Sequence, residues 1–210
     1  MTRSTRWTRR LAAGALGLVL GIAAQMPASQ AASGSDSIRA LYDTLMSTMR
    51  DGQALGASGR YAQIQPVVSR VFDVPYMTRL AVGPQWTSLS EVQQQQVSQA
   101  FLGYIAAIYA ERFNSYAGEQ LQVLGEQPAS GGMLVTSRIV KSDGEPVSLA
   151  YLMRQNGGAW QIADVYLNGT ISELATRRSE FGAILRNQGI NGLIAMLNNK
   201  TAALSMARAG

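Results

Sequence analysis

From about Asp36 to Arg50, apolar residues recur at steps of three and four: Ile38, Leu41, Tyr42, Leu45, Met46 and Met49. That spacing predicts an amphipathic helix with one continuous apolar stripe, and Ser35 or Asp36 stands where a cap belongs. Gly52, Gly56 and Gly59 predict a loop. A second helical piece, about Tyr61–Val71, contains Pro66, whose ring predicts a break near Ile64–Gln65. Phe72–Pro75 reads as a turn. Pro75 then suits the opening of a short helix, Tyr76–Ala81, which Gly83-Pro84 closes. The longest helix follows, capped by Thr87, Ser88 or Ser90, with Ser88 and Glu91 at capping-box spacing. It extends to about Ser115 with Val97, Phe101, Tyr104, Ile105, Ile108, Tyr109 and Phe113 as its stripe. Gln93–Gln96 reads as a solvated first turn.

The period then changes from helical to alternating. Four strands are predicted, about Gln120–Glu126, Met133–Lys141, Pro146–Gln155 and Ala159–Leu167. Gly131-Gly132, Asp143-Gly144 and Asn156-Gly157-Gly158 separate them, and connections this short imply hairpins and an antiparallel meander. One parity holds Met133, Val135, Ile139, Val147, Leu149, Tyr151, Met153, Trp160, Ile162 and Tyr166. The other holds Leu134, Val140, Ala150, Leu152, Val165 and Leu167, mixed with Thr136, Arg138, Ser148 and Arg154. A sheet with one wet face shows a polar parity; neither is clean here, so at least partial cover is expected on both faces. Helical patterning returns over about Ser172–Asn187 and Asn191–Leu204, with Gly189 between. The order of elements makes the chain α+β.

The first ten residues carry Arg3, Arg6, Arg9 and Arg10 and no acid. Leu11–Ala24 is apolar or glycine throughout, and QMPASQAAS follows. This is the layout of a secretory signal peptide. Fourteen apolar residues fall short of the roughly 20 that span a bilayer. Residues 1–31 are therefore expected to be a cleaved signal and residues 32–210 one domain, exported and free of the membrane. Removing the four arginines leaves 14 of the 18 basic residues against 13 acidic ones, so a net charge of +5 falls to +1. A nearly neutral chain lacks the basic footprint of nucleic-acid binding.

The chain has no histidine and no cysteine. The commonest catalytic base and metal ligand is missing, along with thiol chemistry, disulfides and a lipoprotein anchor. No metal site and no cofactor are expected. A Ser–Lys pair would need Lys141 or Lys200, both in exposed-looking positions. Asp164, inside a strand pattern, is expected to meet a salt bridge or a turn, with Arg138 or Arg154 as candidate partners. What remains is a surplus of apolar and aromatic residues. Phe72, Tyr76, Met77 and Leu80 crowd one short stretch, which allows an apolar cavity between helices and sheet.

Phe72-Asp-Val-Pro-Tyr-Met77, Leu80-Ala-Val-Gly83 and Trp86 resemble the corresponding segment of the MlaC lipid carriers, also called toluene-tolerance proteins. Tyr109-Ala-Glu-Arg-Phe-Asn-Ser-Tyr116 and Trp160-Gln-Ile-Ala-Asp-Val165 are similar to theirs, followed by Gly169, Ser172, Arg178 and Phe181. The resemblance runs from about Ile38 to Leu204. Thr170-Ile171 adds a residue to the pattern, and Arg177-Arg178 replaces a Tyr-Arg pair. With the run Val165–Ser172, these departures resemble the hopanoid-associated HpnM branch. The resemblance implies an NTF2-like α+β fold: a four-stranded antiparallel meander, with the helical N-terminal half and the C-terminal helices, around an apolar cavity. It also implies a periplasmic shuttle that takes a lipid, hopanoid or phospholipid, from an inner-membrane transporter to an outer-membrane acceptor, with only transient membrane contact.

On that reading the expected lipid-lining residues are Phe72, Met77, Leu80, Phe101, Ile105, Ile108, Tyr109, Val135, Leu149, Tyr151, Met153, Ile162 and Tyr166. Arg138, Arg154, Arg178 and Asp164 are the candidate headgroup contacts. Two other readings compete: an NTF2-like enzyme working through an Asp without His, and an interaction subunit of an envelope complex that binds no lipid.

Overall fold

The computed structural model describes residues 33–206; the expected signal segment and its cleavage site lie outside them. The helical half holds α1 (Gly34–Arg50), α2 (Gly52–Val71), α3 (Val74–Val82), a 3-10 turn (Gly83–Ser88) and α4 (Glu91–Arg112). The sheet holds β1 (Gln120–Ala129), β2 (Gly132–Val140), β3 (Pro146–Asn156), β4 (Ala159–Leu167) and β5 (Ile171–Ser172), and α5 (Glu173–Ser205) ends the chain. The sheet is antiparallel in the order β1-β2-β3-β4-β5. The α+β meander is therefore as expected, with one addition. β5 is two residues long, too short for alternation to reveal.

Several helix ends differ from expectation. Ser33 caps α1 through a reciprocal box with Asp36, one turn earlier than the alternation begins. Ser90, one of the three expected caps, caps α4, but the capping box pairs it with Gln93 rather than pairing Ser88 with Glu91. The glutamine run is thus partly structural: Gln94 also donates to the carbonyls of Trp86 and Leu89. The glycines after Arg50 form helix rather than loop. Pro66 sits inside α2, and the one non-helical residue is Gly56, at φ 60 and ψ −177. The break expected at Ile64–Gln65 falls there instead. Gly189 breaks α5 in the same way, at φ 66 and ψ −170.

α4 is the central helix. Every residue from Ala100 to Ala107 is buried, so its middle is apolar all round rather than striped. Ala100, Gly103, Ala106, Ala107 and Ala110 keep its surface low enough for neighbouring helices to approach. A side-chain carbon on Gly103 would meet Thr201 and Tyr61 at 3.4 Å.

The sheet carries two bulges. Leu124 is the extra residue in β1, between Val123 and Gly125, and lies exposed. β1 is also the outermost strand and contains Pro128, which an edge tolerates because its missing N–H faces outward. Ala163 is the extra residue in β4: Met153 pairs with Ile162 but Leu152 with Asp164. A bulge of one residue exchanges the faces beyond it. The single parity read along β4 therefore holds only as far as Ile162. Val165 and Leu167 share a face with Tyr151 and Leu149, while Asp164 and Tyr166 share the opposite one with Leu152 and Ala150. The inner face lies under the helices. The outer face is covered only in part: Ala150 and Asp164 are buried, while Leu134, Thr136, Arg138, Leu152 and Tyr166 stay partly exposed.

α1 closes one end of the inner face. Gly34 lies so near the sheet that an added Cβ would stand 3.1 Å from Val135 and 3.2 Å from Met153. Further along α1, the Tyr42 hydroxyl bonds those of Ser137 at 2.7 Å and Tyr151 at 3.1 Å. Burial pushes the Tyr151 phenol well above its ordinary 10.0, and raises Tyr42 and Tyr109 for the same reason.

Two predictions follow from this packing. Gly56 and Gly189 occupy a backbone region almost reserved for glycine, so Gly56→Ala and Gly189→Ala should each lower unfolding free energy by about 1–3 kcal/mol in urea titrations. Gly182 is helical, with only a flexible arginine tip nearby, and Gly182→Ala should raise it by about 0.5–1 kcal/mol. The tyrosines set an alkaline limit. Above pH 10 the unfolded chain loses phenolic protons that the folded chain keeps, so stability is full below that pH and falls above it. The urea midpoint should decline from pH 9 to pH 11, and less steeply in Tyr151→Phe; equal slopes would refute this account.

Candidate functional site

A cavity of about 220 Å³ lies between the far half of the inner sheet face and the helices. The sheet contributes Ile139 from β2, Val147, Leu149 and Tyr151 from β3, and Val165 and Leu167 from β4. The last turns of α4 contribute Ile105, Ile108, Tyr109 and, just past the helix, Phe113. Phe101 reaches in one turn earlier. Phe72 and Met77 close the side formed by α3, and Leu174 the side formed by α5. Aromatic edges hold these walls: Phe72 meets Tyr109 at 5.7 Å, and Phe101 meets Phe181 at 5.3 Å. Tyr109 stacks on Phe113 at 5.7 Å.

Charge is confined to Arg112, Glu173 and Arg177. Arg177 bonds Glu173 at 3.2 Å and Glu180 at 2.6 Å, and its guanidinium lies 5.6 Å from the Tyr104 ring. Arg112 stands exposed at the end of α4. The site is thus an apolar chamber with polar groups grouped on the α4 and α5 ends, an arrangement suited to an amphiphile. Among the described residues, no buried side-chain nitrogen or oxygen lacks a partner, and no cluster of acids could hold a metal ion.

Eight of the expected lining residues share this cavity: Phe72, Met77, Phe101, Ile105, Ile108, Tyr109, Leu149 and Tyr151. Five do not. Val135, Met153 and Ile162 belong to the packed core, with α1 pressed against the first two. Leu80 packs half-buried outside the cavity. Tyr166 faces away because of the Ala163 bulge, which instead turns Val165 and Leu167 inward. Alternation alone could not locate that flip. Ile139, Val147 and Phe113 sat on the faces the sequence marks as apolar and could have been included. Leu174, Glu173 and Arg177 depend on how α5 leaves the sheet, which has no signature in the period.

None of the four candidate headgroup contacts lines the cavity. Arg138 bonds Gln122 at 2.7 Å across the sheet. Arg178 lies beside Gly83 at the end of α3. Arg154 is engaged with Asp73. Asp164 makes the turn contact: it accepts from the Val165 amide at 2.7 Å, the Leu174 amide at 3.1 Å and the Ser172 hydroxyl at 2.6 Å. It ties the end of β4 to the start of α5, with no arginine involved.

Comparison with known proteins agrees with this architecture. Among solved structures, the phospholipid-binding protein of Ralstonia solanacearum, determined in complex with a phospholipid, is similar with a TM-score of 0.71. The identity is 20%, and the match covers 83% of this chain and 99% of that one. At that identity the likeness establishes the fold. The family model described as MlaC protein matches residues 39–199, which takes in every wall of the cavity. The chain belongs to the MlaC family.

Proposed function

We propose that this protein is a lipid carrier that houses an apolar tail in the cavity and leaves the polar head near Arg112, Glu173 and Arg177. The observation that carries this reading is the chamber itself, walled by apolar and aromatic side chains and charged only toward one end. Membership of the MlaC family supports it, and so does the phospholipid bound to the structural relative. Burying apolar ligand surface contributes about 25 cal/mol per Å². Several hundred Å² therefore supplies on the order of 10 kcal/mol before the costs of association. No chemical step is needed. The enzyme reading would have to use Asp164, whose two oxygens already accept three hydrogen bonds in a turn.

A phospholipid is the cargo read first. A hopanoid is the second reading, favoured by the run Val165–Ser172, which resembles the hopanoid-associated branch. The carrier would work in the periplasm after loss of residues 1–31, between an inner-membrane transporter and an outer-membrane acceptor. Among the described residues no helix is long and apolar enough to cross a membrane.

Protein purified from its native host should release lipid on organic extraction, and mass spectrometry separates phospholipid from hopanoid by mass and by phosphorus. Extracts holding neither would count against a carrier. Within the chain, Ile105→Glu or Leu149→Glu places a charge in the apolar chamber. Either should weaken binding of a fluorescent phospholipid at least roughly tenfold, since an unpaired buried charge is strongly disfavoured. Leu80→Glu, outside the chamber, should bind as wild type. Unchanged binding in all three would remove this cavity as the site.

A further inference from the structure

Five ion pairs join described residues. Four link side chains three or four positions apart in sequence. The fifth, Arg154 with Asp73, links β3 to the start of α3. Asp73 is only 2% exposed. Its Oδ1 accepts the Tyr76 amide at 3.2 Å, and its own amide donates to the Ile162 carbonyl at 2.9 Å. The Arg154 guanidinium also lies 4.2 Å from the centre of the Tyr76 ring. One arginine thus holds the first turn of α3 to the sheet by charge and by stacking.

That turn carries part of the cavity wall. Phe72 and Met77, on either side of Asp73 in sequence, both line the chamber. α3 has a non-helical joint at each end, extended at Phe72 and at φ 72 in Gly83. The α5 wall is held differently: Asp164 staples the start of α5 to β4 through the Leu174 amide and the Ser172 hydroxyl. Of the two arginines paired beside the chamber, Arg154 is 35% open to solvent and Arg177 15%. At about 220 Å³, the chamber is also smaller than the roughly 300–1,000 Å³ of pockets that enclose drug-sized ligands. A chamber of this size would have to widen to enclose a lipid.

We propose that Arg154 is a positioning residue for cargo exchange: its pair with Asp73 holds Phe72 and Met77 against the sheet, and parting of that pair opens the chamber. The proposal rests on the carrier reading above. Differences between variants of one binding site fall mainly on the dissociation rate, and that rate is what this pair would govern.

The full chain is loaded with a phospholipid bearing a fluorophore on one tail, and release to excess phosphatidylcholine vesicles is timed. Arg154→Gln should release on the order of tenfold faster than wild type, with Arg154→Lys between them. Leu193→Ala, which opens a hole in the buried second half of α5 away from the chamber, serves as a control for lost stability, measured by urea unfolding. It should release at the wild-type rate. Release from Arg154→Gln at the wild-type rate, or no faster than from Leu193→Ala, overturns the proposal. Arg154→Lys keeps a charge near the buried carboxylate but loses the planar fork and the stacking on Tyr76, so it decides the matter if Arg154→Gln does not fold: release no faster than wild type then overturns the proposal. Wild-type protein that takes up no probe overturns the carrier reading, and this one with it. Wild-type protein that loads, with variants that release no faster, overturns this one alone.

Discussion

The extra residue Ala163 decides what the sheet can hold. Without it, Asp164 and Tyr166 would follow Ile162 onto the inner face, and a carboxylate would stand in an apolar interior at a cost of several kcal/mol. With it, Val165 and Leu167 turn inward beside Tyr151 and Leu149. Asp164 turns instead to where the chain leaves β4 for α5, and there it finds three donors. One inserted residue thereby supplies part of an apolar wall and anchors the helix that forms another. Ile162, just before the bulge, stays inside, while its backbone pairs with Phe72 and accepts the Asp73 amide.

The inner face divides accordingly. Under α1 it is packed to contact, and its polar groups are spent on one another through Tyr42, Ser137 and Tyr151. Beyond α1 the sheet faces the last turns of α4 and leaves space. The aromatic pairs bordering that space meet edge to face or stacked at 5.3–5.7 Å, geometries that hold rings apart as well as together. A core filled by aliphatic chains would close more completely. Here Phe72, Phe101, Tyr109 and Phe113 form part of the border, each ring fixed against another.

Periodicity showed most of the elements and about half of the chamber's lining. The stripe of α4, the meander and the short helix after Pro75 stand in the chain as steps of three and four or of two, because burial on one side imposes those steps. The failures have physical causes. The glycines at 52, 56 and 59 suggested a loop, but helix–helix contact outweighs their low propensity, and only Gly56 departs from helical geometry. The proline at 66 suggested a break, yet Pro66 is accommodated within the helix. The bulge at Ala163 left no mark, since alanine suits either face. Arg154 and Asp73 stand 81 positions apart, and no local pattern links residues that only the fold brings together.

The outer strand β1 joins a bulge at Leu124 to a proline at Pro128. An open sheet edge presents unpaired N–H and C=O groups that invite a strand from another copy. Here the edge kinks in the middle and lacks a donor near its end, so no second chain can lay a long unbroken ladder along it. The edge is thereby a poor template for a second copy of the chain.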